Sequence, residues 1–277
     1  MIQFGDIAYL NTLPVMAAFW RSYADAFSLT RVRGTPSQLN TGLLSGSLDI
    51  SGISAACFVR HQQDLLLLPE LSISSNGPVE SVLILSPVPW QQLASQPFIH
   101  VSGASASAAT MLQYLLPNLR QVIFLPEALN SLLECSEPIL VIGDQALTLT
   151  MPCKSHPYVI DVATQWHQQT HLPAVFGVWA ARRTWAETHP ERFQAISHAL
   201  IKSKADFFGS DSFQQIVISE ALADSGQTLQ GLSMQRIQHY LTQSIRYDWS
   251  PAHEAAVTRL ATVSQNQDAA SLVRPLS

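Results

Sequence analysis

The chain has 277 residues, a formal net charge of −5 and a pI near 5.9, with 47% apolar and 13% charged residues. That composition fills a large core in one or two domains and excludes a disordered chain. The largest basic cluster is Arg182-Arg183, which argues against nucleic acid and against an anionic membrane surface as partners.

The N-terminus has neither a basic leader nor a long apolar segment, so the expected location is cytoplasmic. No apolar run approaches the roughly 18 residues of a membrane span. Ile2, Phe4 and Ile7 predict a first strand that breaks at Asn11-Thr12. A helix carrying Val15, Met16, Phe19 and Trp20 follows. Asn11 or Thr12 suits the N-cap, and Pro14 fits the first helical turn. The same break places amide, hydroxyl and backbone N–H groups at the carboxyl end of a sheet, where open α/β sheets bind ligands. Asn11 thus reads equally well as a cap and as a ligand contact.

Leu29–Arg33 reads as a strand, and Thr35-Pro36 starts a helix through Leu39, Leu43 and Leu44 that ends at Gly46. Leu48–Ser54 reads as a strand running into a small-residue turn. Residues 1–54 therefore read β-α-β-α-β, a parallel sheet. Helix 55–62 follows, then the apolar runs Leu65–Leu68 and Leu71–Ser75. The Asn76–Ser81 turn leads into strand Val82–Leu85, and Pro87 and Pro89 punctuate its end.

A new unit starts at strand Phe98–Val101, whose Ser102–Ser107 turn opens helix 108–116. Strand, Gly/Ser turn and helix form the geometry of an anion-binding helix N-terminus. Val122–Phe124 and Ile139–Ile142 are further strands, the second entering Gly143-Asp144. Residues 161–169 read helical, and Leu172–Ala180 runs extended and apolar. Helices are expected at 189–208, 211–225, 233–247 and 251–264, with a short polar, frayed tail after Gln265.

Two crossings, near 84–88 and 174–180, divide the chain into lobe 1 (1–84 plus 178–277) and an inserted lobe 2 (85–177). Paired hinge strands around a cleft describe an α/β, periplasmic-binding-protein-like architecture of two lobes.

The familiar catalytic patterns are absent. The nine histidines have no metal-ligand spacing, and His167 and His171 straddle a helix end. There is no nucleophile elbow around Ser81 or Ser105, and no phosphate loop. Cys57, Cys135 and Cys153 match neither a disulfide framework nor a metal pattern and read as buried free thiols. Asp144 ends a strand, where its carboxylate reads either as a cleft residue or as an N-cap. What remains is a cleft of amides and hydroxyls: Asn11, Thr12, Ser54, Ser81, Ser105 and Ser107. That set suits carboxylate recognition and leaves a solute binder and a lyase both open.

Ile7–Pro14, read as Ile-Ala-Tyr-Leu-Asn-Thr-Leu-Pro, resembles the opening of the chorismate dehydratase family of the futalosine route to menaquinone. Gly46–Ile50, Gly77–Val82, Ile142–Leu147 and Leu172–Ala180 follow in the family's order. The resemblance covers residues 1–185 well and the helical C-terminus by general pattern. It implies the periplasmic-binding-protein type II fold. It further implies a hydro-lyase without metal or organic cofactor, which removes water from chorismate to give 3-[(1-carboxyvinyl)oxy]benzoate.

On that resemblance the catalytic residues are Asn11 and Ser81; from their places at the cleft, Tyr9, Thr12, Ser54, Ser105, Ser107 and Asp144 are expected to contact substrate. No strong protein base lies in the motifs, so a substrate carboxylate is the expected proton acceptor. The chain departs from the family at Cys57, at Ala108-Ala109 and at Thr170–Ala174. A cytoplasmic small-carboxylate-binding protein of the same fold, and the naphthoate-forming enzyme of the same pathway, are the alternatives.

Overall fold

The computed structural model describes residues 1–124, 128–149, 152–226 and 228–264. Strand β1 (Ile2–Ile7) pairs in parallel with β2 (Leu29–Gly34) and β3 (Ile50–Ser54). Covered on both faces, β1 and β3 are almost wholly buried, as strands of a parallel sheet are. A 3-10 turn over Leu10–Thr12 carries β1 into α1 (Leu13–Ala18). Helix α2 (Pro36–Ser45) opens on a reciprocal Thr35–Gln38 capping box and ends at Gly46, whose φ of 83° is left-handed. Helix α3 (Ala55–Arg60) leaves β3 directly.

β4 (Leu65–Ser75) is one strand where the sequence predicts two runs. Pro69-Glu70 interrupts the apolar pattern, and the strand absorbs it as a register irregularity against β10, with Glu70 at a φ of 62°. β10 (Ala174–Arg182) lies antiparallel between β3 and β4, completing the sheet β2-β1-β3-β10-β4.

The second sheet has the order β7-β6-β8-β5-β9. β5 (Val82–Ser86) pairs antiparallel with β8 (Ile139–Ile142) and β9 (Tyr158–Asp161). β6 (Ile99–Ser102) runs parallel to β7 (Gln121–Phe124) and β8. β9 was not expected, because its four residues follow Pro157 and half of them are exposed on a sheet edge. Around this sheet stand α4 (Trp90–Leu93), α5 (Ala106–Leu115), α6 (Leu129–Glu134), α7 (Gly143–Thr148) and α8 (Val162–Thr170). Because β5 and β10 each pair over their full length within one sheet, the chain passes between sheets at 76–81 and 162–173.

The C-terminal region is helical: α9 (Arg183–Thr188), α10 (Pro190–Phe208), α11 (Asp211–Asp224), α12 (Met234–His239) and α13 (Pro251–Ser264). α10 packs on α1, where the Ser203 hydroxyl accepts from the Phe19 N–H at 2.7 Å and donates to the Val15 carbonyl. The helix expected over 233–247 is shorter, because α12 widens into a π-helical turn at Tyr240–Ser244. α13 touches α3, α5 and β10 and so contacts both halves of the molecule. One apolar core runs from Phe4, Ile50 and Trp179 to Ile84 and Leu140. A smaller cluster around Leu85, Leu129 and Val141 covers the far face of the second sheet. The polar tail after Gln265 lies outside the described residues.

Candidate active site

A cleft with about 590 Å³ of empty space, its open mouth included, lies between the two sheets. Its walls are the turn after β1, the end of β3, the turn before β5, the start of α5, Gly143 and the first half of β10. Parallel strands bring their carboxyl ends here, as the open-sheet rule requires.

Tyr9 and Asn11 come from the turn after β1. The Tyr9 ring packs over Gly143, whose φ is 63°. A Cβ at Gly143 would stand 3.2 Å from the Tyr9 ring, so a larger residue there would strain the backbone and press the ring aside. Burial, and then the charge of Asp144, push the Tyr9 hydroxyl up to about 12. Asn11 lines the cleft. Its Oδ1 is shielded from solvent and has no hydrogen-bond partner among the described residues. Such an orphaned acceptor costs about 1–3 kcal/mol.

Neither Asn11 nor Thr12 caps α1 through its side chain. The Thr12 hydroxyl donates back to the carbonyls of Ile7 at 3.1 Å and Tyr9 at 3.0 Å. Thr12 therefore braces the turn and does not line the cleft. The cap interpretation of Asn11 fails.

Ser81 is 2% exposed and lines the cleft from the opposite turn. Its neighbour Glu80 holds a left-handed φ of 64°, a conformation that costs a non-glycine residue roughly 1–3 kcal/mol. Two sets of contacts hold it there. The Asp161 carboxylate accepts from the N–H groups of Val79 at 2.9 Å and Glu80 at 2.8 Å while also capping α8. The Glu80 carboxylate accepts from Arg236 and Ser244, with His239 Nε2 at 3.4 Å. Burial pushes the Glu80 carboxyl up, but the Ser244 and Arg236 bonds and the Arg236 charge outweigh it and leave it below the usual value.

Ser54, Ser105 and Ser107 line the third wall. Ser54 caps α3, accepting from the Cys57 N–H at 3.1 Å, and also accepts from Asn40 Nδ2 at 3.1 Å. The Ser105 hydroxyl donates to the Ser102 carbonyl. The Ser107 hydroxyl donates to the Phe176 carbonyl at 2.7 Å and accepts from the Ala56 N–H at 3.2 Å. The protons of Ser105 and Ser107 are thus committed to backbone carbonyls. Cys57 is buried and its thiol is pushed up to about 11 by burial, whereas Cys135 is exposed and Cys153 half-buried, so only one of the three expected buried thiols is buried.

Asp144 does not line this cleft. It sits behind Tyr9 in a second cavity shared with Asp6 and Arg31. Its carboxylate accepts from the Leu10 N–H at 3.1 and 3.3 Å. Burial raises it to about 7 against the partial relief of that bond. The N-cap position of α7 is Ile142, so Asp144 is not a cap either. Among the described residues no charged side chain lines the cleft, and no group of three or more His, Cys, Asp or Glu could hold a metal ion.

The profile of a family described as "Menaquinone biosynthesis" matches residues 2–266. The chain belongs to the menaquinone-biosynthesis family. A curated relative, the chorismate dehydratase of Thermus thermophilus, is 29% identical over 230 residues, covering 76% of this chain and 78% of that protein. Among solved structures, the periplasmic aliphatic sulphonate binding protein of Escherichia coli superposes with a TM-score of 0.65 at 14% identity, covering 98% of this chain and 94% of that one. The alkanesulfonate-binding protein of Xanthomonas axonopodis pv. citri, bound to MOPS, gives 0.66 at 15% identity, covering 95% and 93%. These two likenesses establish the periplasmic-binding-protein fold, two lobes with a ligand cleft between them. Among the described residues no helix is long and apolar enough to cross a membrane.

In this menaquinone-biosynthesis protein three polar groups escaped the sequence reading. Tyr240 donates to Ser81 Oγ at 2.8 Å across 159 positions of sequence. Asn40 clasps Ser54 through both its side-chain atoms. Arg236 reaches Glu80. Tyr240 fits an apolar helical pattern, which conceals a hydroxyl with a partner.

Proposed function

We propose that this chain is a chorismate dehydratase, a hydro-lyase that converts chorismate to 3-[(1-carboxyvinyl)oxy]benzoate and water. The observation that carries the proposal is the cleft itself: Asn11 and Ser81 face a cavity in which, among the described residues, no side chain is charged. The substrate is taken from the name of the Thermus relative, and the chemistry must then work without a protein base or acid of ordinary strength.

It can. The hydroxyl leaves one ring carbon and a proton leaves its neighbour, which bears the enolpyruvyl ether. The electron pair of the broken C–H bond completes the aromatic ring. The ether's own carboxylate lies beside that proton and accepts it. The departing hydroxide, stabilised by hydrogen bonds, takes that same proton back from the carboxylic acid so formed and leaves as water, which regenerates the carboxylate. The protein's work is to orient the substrate and to polarise the leaving group, which an amide and a hydroxyl accomplish in a shielded cleft. The first turn of α5 supplies a carboxylate site, because no side chain caps it and Ala106, Ser107 and Ala108 all line the cavity. The two lobes that close on the substrate are delimited by the crossings at 76–81 and 162–173.

The test is incubation of the purified protein with chorismate, following loss of diene absorbance and appearance of the benzoate by mass spectrometry. Turnover is expected, and EDTA is expected to leave it intact. Stoichiometric binding of chorismate without product would make the chain a solute binder of the same fold. Loss of turnover on chelation, restored by a divalent metal, would overturn the cofactor-free chemistry.

A further inference from the structure

We infer that Tyr240 is the positioning residue for Ser81, fixing the serine hydroxyl as a hydrogen-bond donor aimed into the cleft. The inference deepens the dehydratase reading and rests on it. Tyr240 is 1% exposed and lies outside the cleft wall, so it acts only through its neighbour. Its phenol O–H donates to Ser81 Oγ at 2.8 Å, and among the described residues neither hydroxyl has another side-chain partner.

The direction of that bond decides the role of the serine. A buried phenol must place its proton somewhere, and Ser81 Oγ is the acceptor within reach. With one of its two lone pairs engaged by Tyr240, Ser81 Oγ keeps its own proton and one further lone pair. Among the described residues that proton has no hydrogen-bond acceptor, and Ser81 lines the cleft. Accepting one hydrogen bond also strengthens the bond a hydroxyl donates. The serine is thus set up to donate to a departing hydroxyl or to a substrate carboxylate.

The surroundings of Tyr240 are built for this geometry. Arg236, Tyr240 and Ser244 recur every four residues along α12 and the π-helical turn, and all three reach the pair Glu80-Ser81. Two of them hold the left-handed Glu80, and the third holds the hydroxyl beside it. Single π-helical turns within helices recur at functional sites. Here the turn presents Tyr240 to the hydroxyl of Ser81, the polar cleft-lining residue between Val79 and Val82.

The experiment is a double-mutant cycle on chorismate turnover with Tyr240→Phe, Ser81→Ala and the pair. Phenylalanine keeps the packing of a fully buried ring and removes only the hydroxyl. Tyr240→Phe is expected to lower kcat roughly tenfold, the scale of one orienting hydrogen bond, with KM within about twofold. In the Ser81→Ala background the same change is expected to have no further effect on kcat, because the hydroxyl it orients is gone. Equal losses in both backgrounds, or an unchanged kcat in Tyr240→Phe, would make Tyr240 a core residue and overturn the assignment. Should Tyr240→Phe fold poorly, chorismate binding is used to titrate its folded sites and kcat is taken per site; a per-site kcat equal to wild type overturns the assignment as well. A wild-type protein that leaves chorismate unchanged overturns the dehydratase reading itself, an outcome visible before any variant is made.

Discussion

At Asn11 a helix cap and a substrate contact make opposite predictions. A cap tolerates aspartate and suffers from alanine. Asn11 makes no cap bond, and its Oδ1 is an orphaned acceptor at the cleft wall, so alanine removes nothing the fold uses. Asn11→Ala is expected to melt within a few degrees of wild type and to turn over chorismate more slowly. Asn11→Asp deletes two donors and sets a charge beside a dianion in a shielded cleft. Its kcat/KM is expected to fall at least about a hundredfold, equivalent to ~2.7 kcal/mol. Melting curves and initial rates on both variants check the pair; an aspartate variant with wild-type kcat/KM would remove Asn11 from the site. Asn11, Ser54 and Ser81 were legible because polar residues at strand ends announce a cleft. The direction of Asp144 was not, since one residue's rotation about the β8–α7 junction decides which side of Tyr9 its carboxylate faces.

At the scale of elements, the serines that open α5 were correctly placed at a helix start, and their partners were invisible. Ser107 joins three elements: its hydroxyl accepts from the first turn of α3 and donates to β10, partners 51 and 69 positions away. No local pattern carries such pairings. For the same reason the four-residue β9 was missed, and β4 was read as two runs; each depends on a neighbour supplied by a distant segment. Ser107→Ala strands the Ala56 N–H and the Phe176 carbonyl in the interior. A loss near 2 kcal/mol corresponds to a melting-temperature fall of about 4–8 °C in a chain of this size. Calorimetry on the variant measures it, and an unchanged melting temperature would mean that the junction of α3, α5 and β10 is held by packing alone.

Over the whole molecule, the β-α-β-α-β opening was legible because hydrophobic period and punctuation agree there. The return of α12 and α13 onto both lobes was not, because helical periodicity gives an apolar face without saying what it faces. A second tie across the molecule is Asp144, on α7 beside the second sheet, bound to the Leu10 N–H in the turn after β1. Its carboxyl is raised from 3.8 to about 7 in the folded protein by burial, against the Leu10 bond. Between those values the folded state holds a proton that the unfolded state has released, so stability falls as pH rises through this window. Below the window the penalty is absent, and above it the full cost of a buried carboxylate is present, on the order of a few kcal/mol. Asp144→Asn keeps an acceptor for Leu10 and cannot ionise. Its melting temperature relative to wild type is therefore expected to rise by several degrees between pH 5 and pH 8, a comparison that cancels the other titrating groups common to both proteins. A difference that stays constant over that range would show that Asp144 is already ionised at pH 5 and that solvent reaches it from the cavity behind Tyr9.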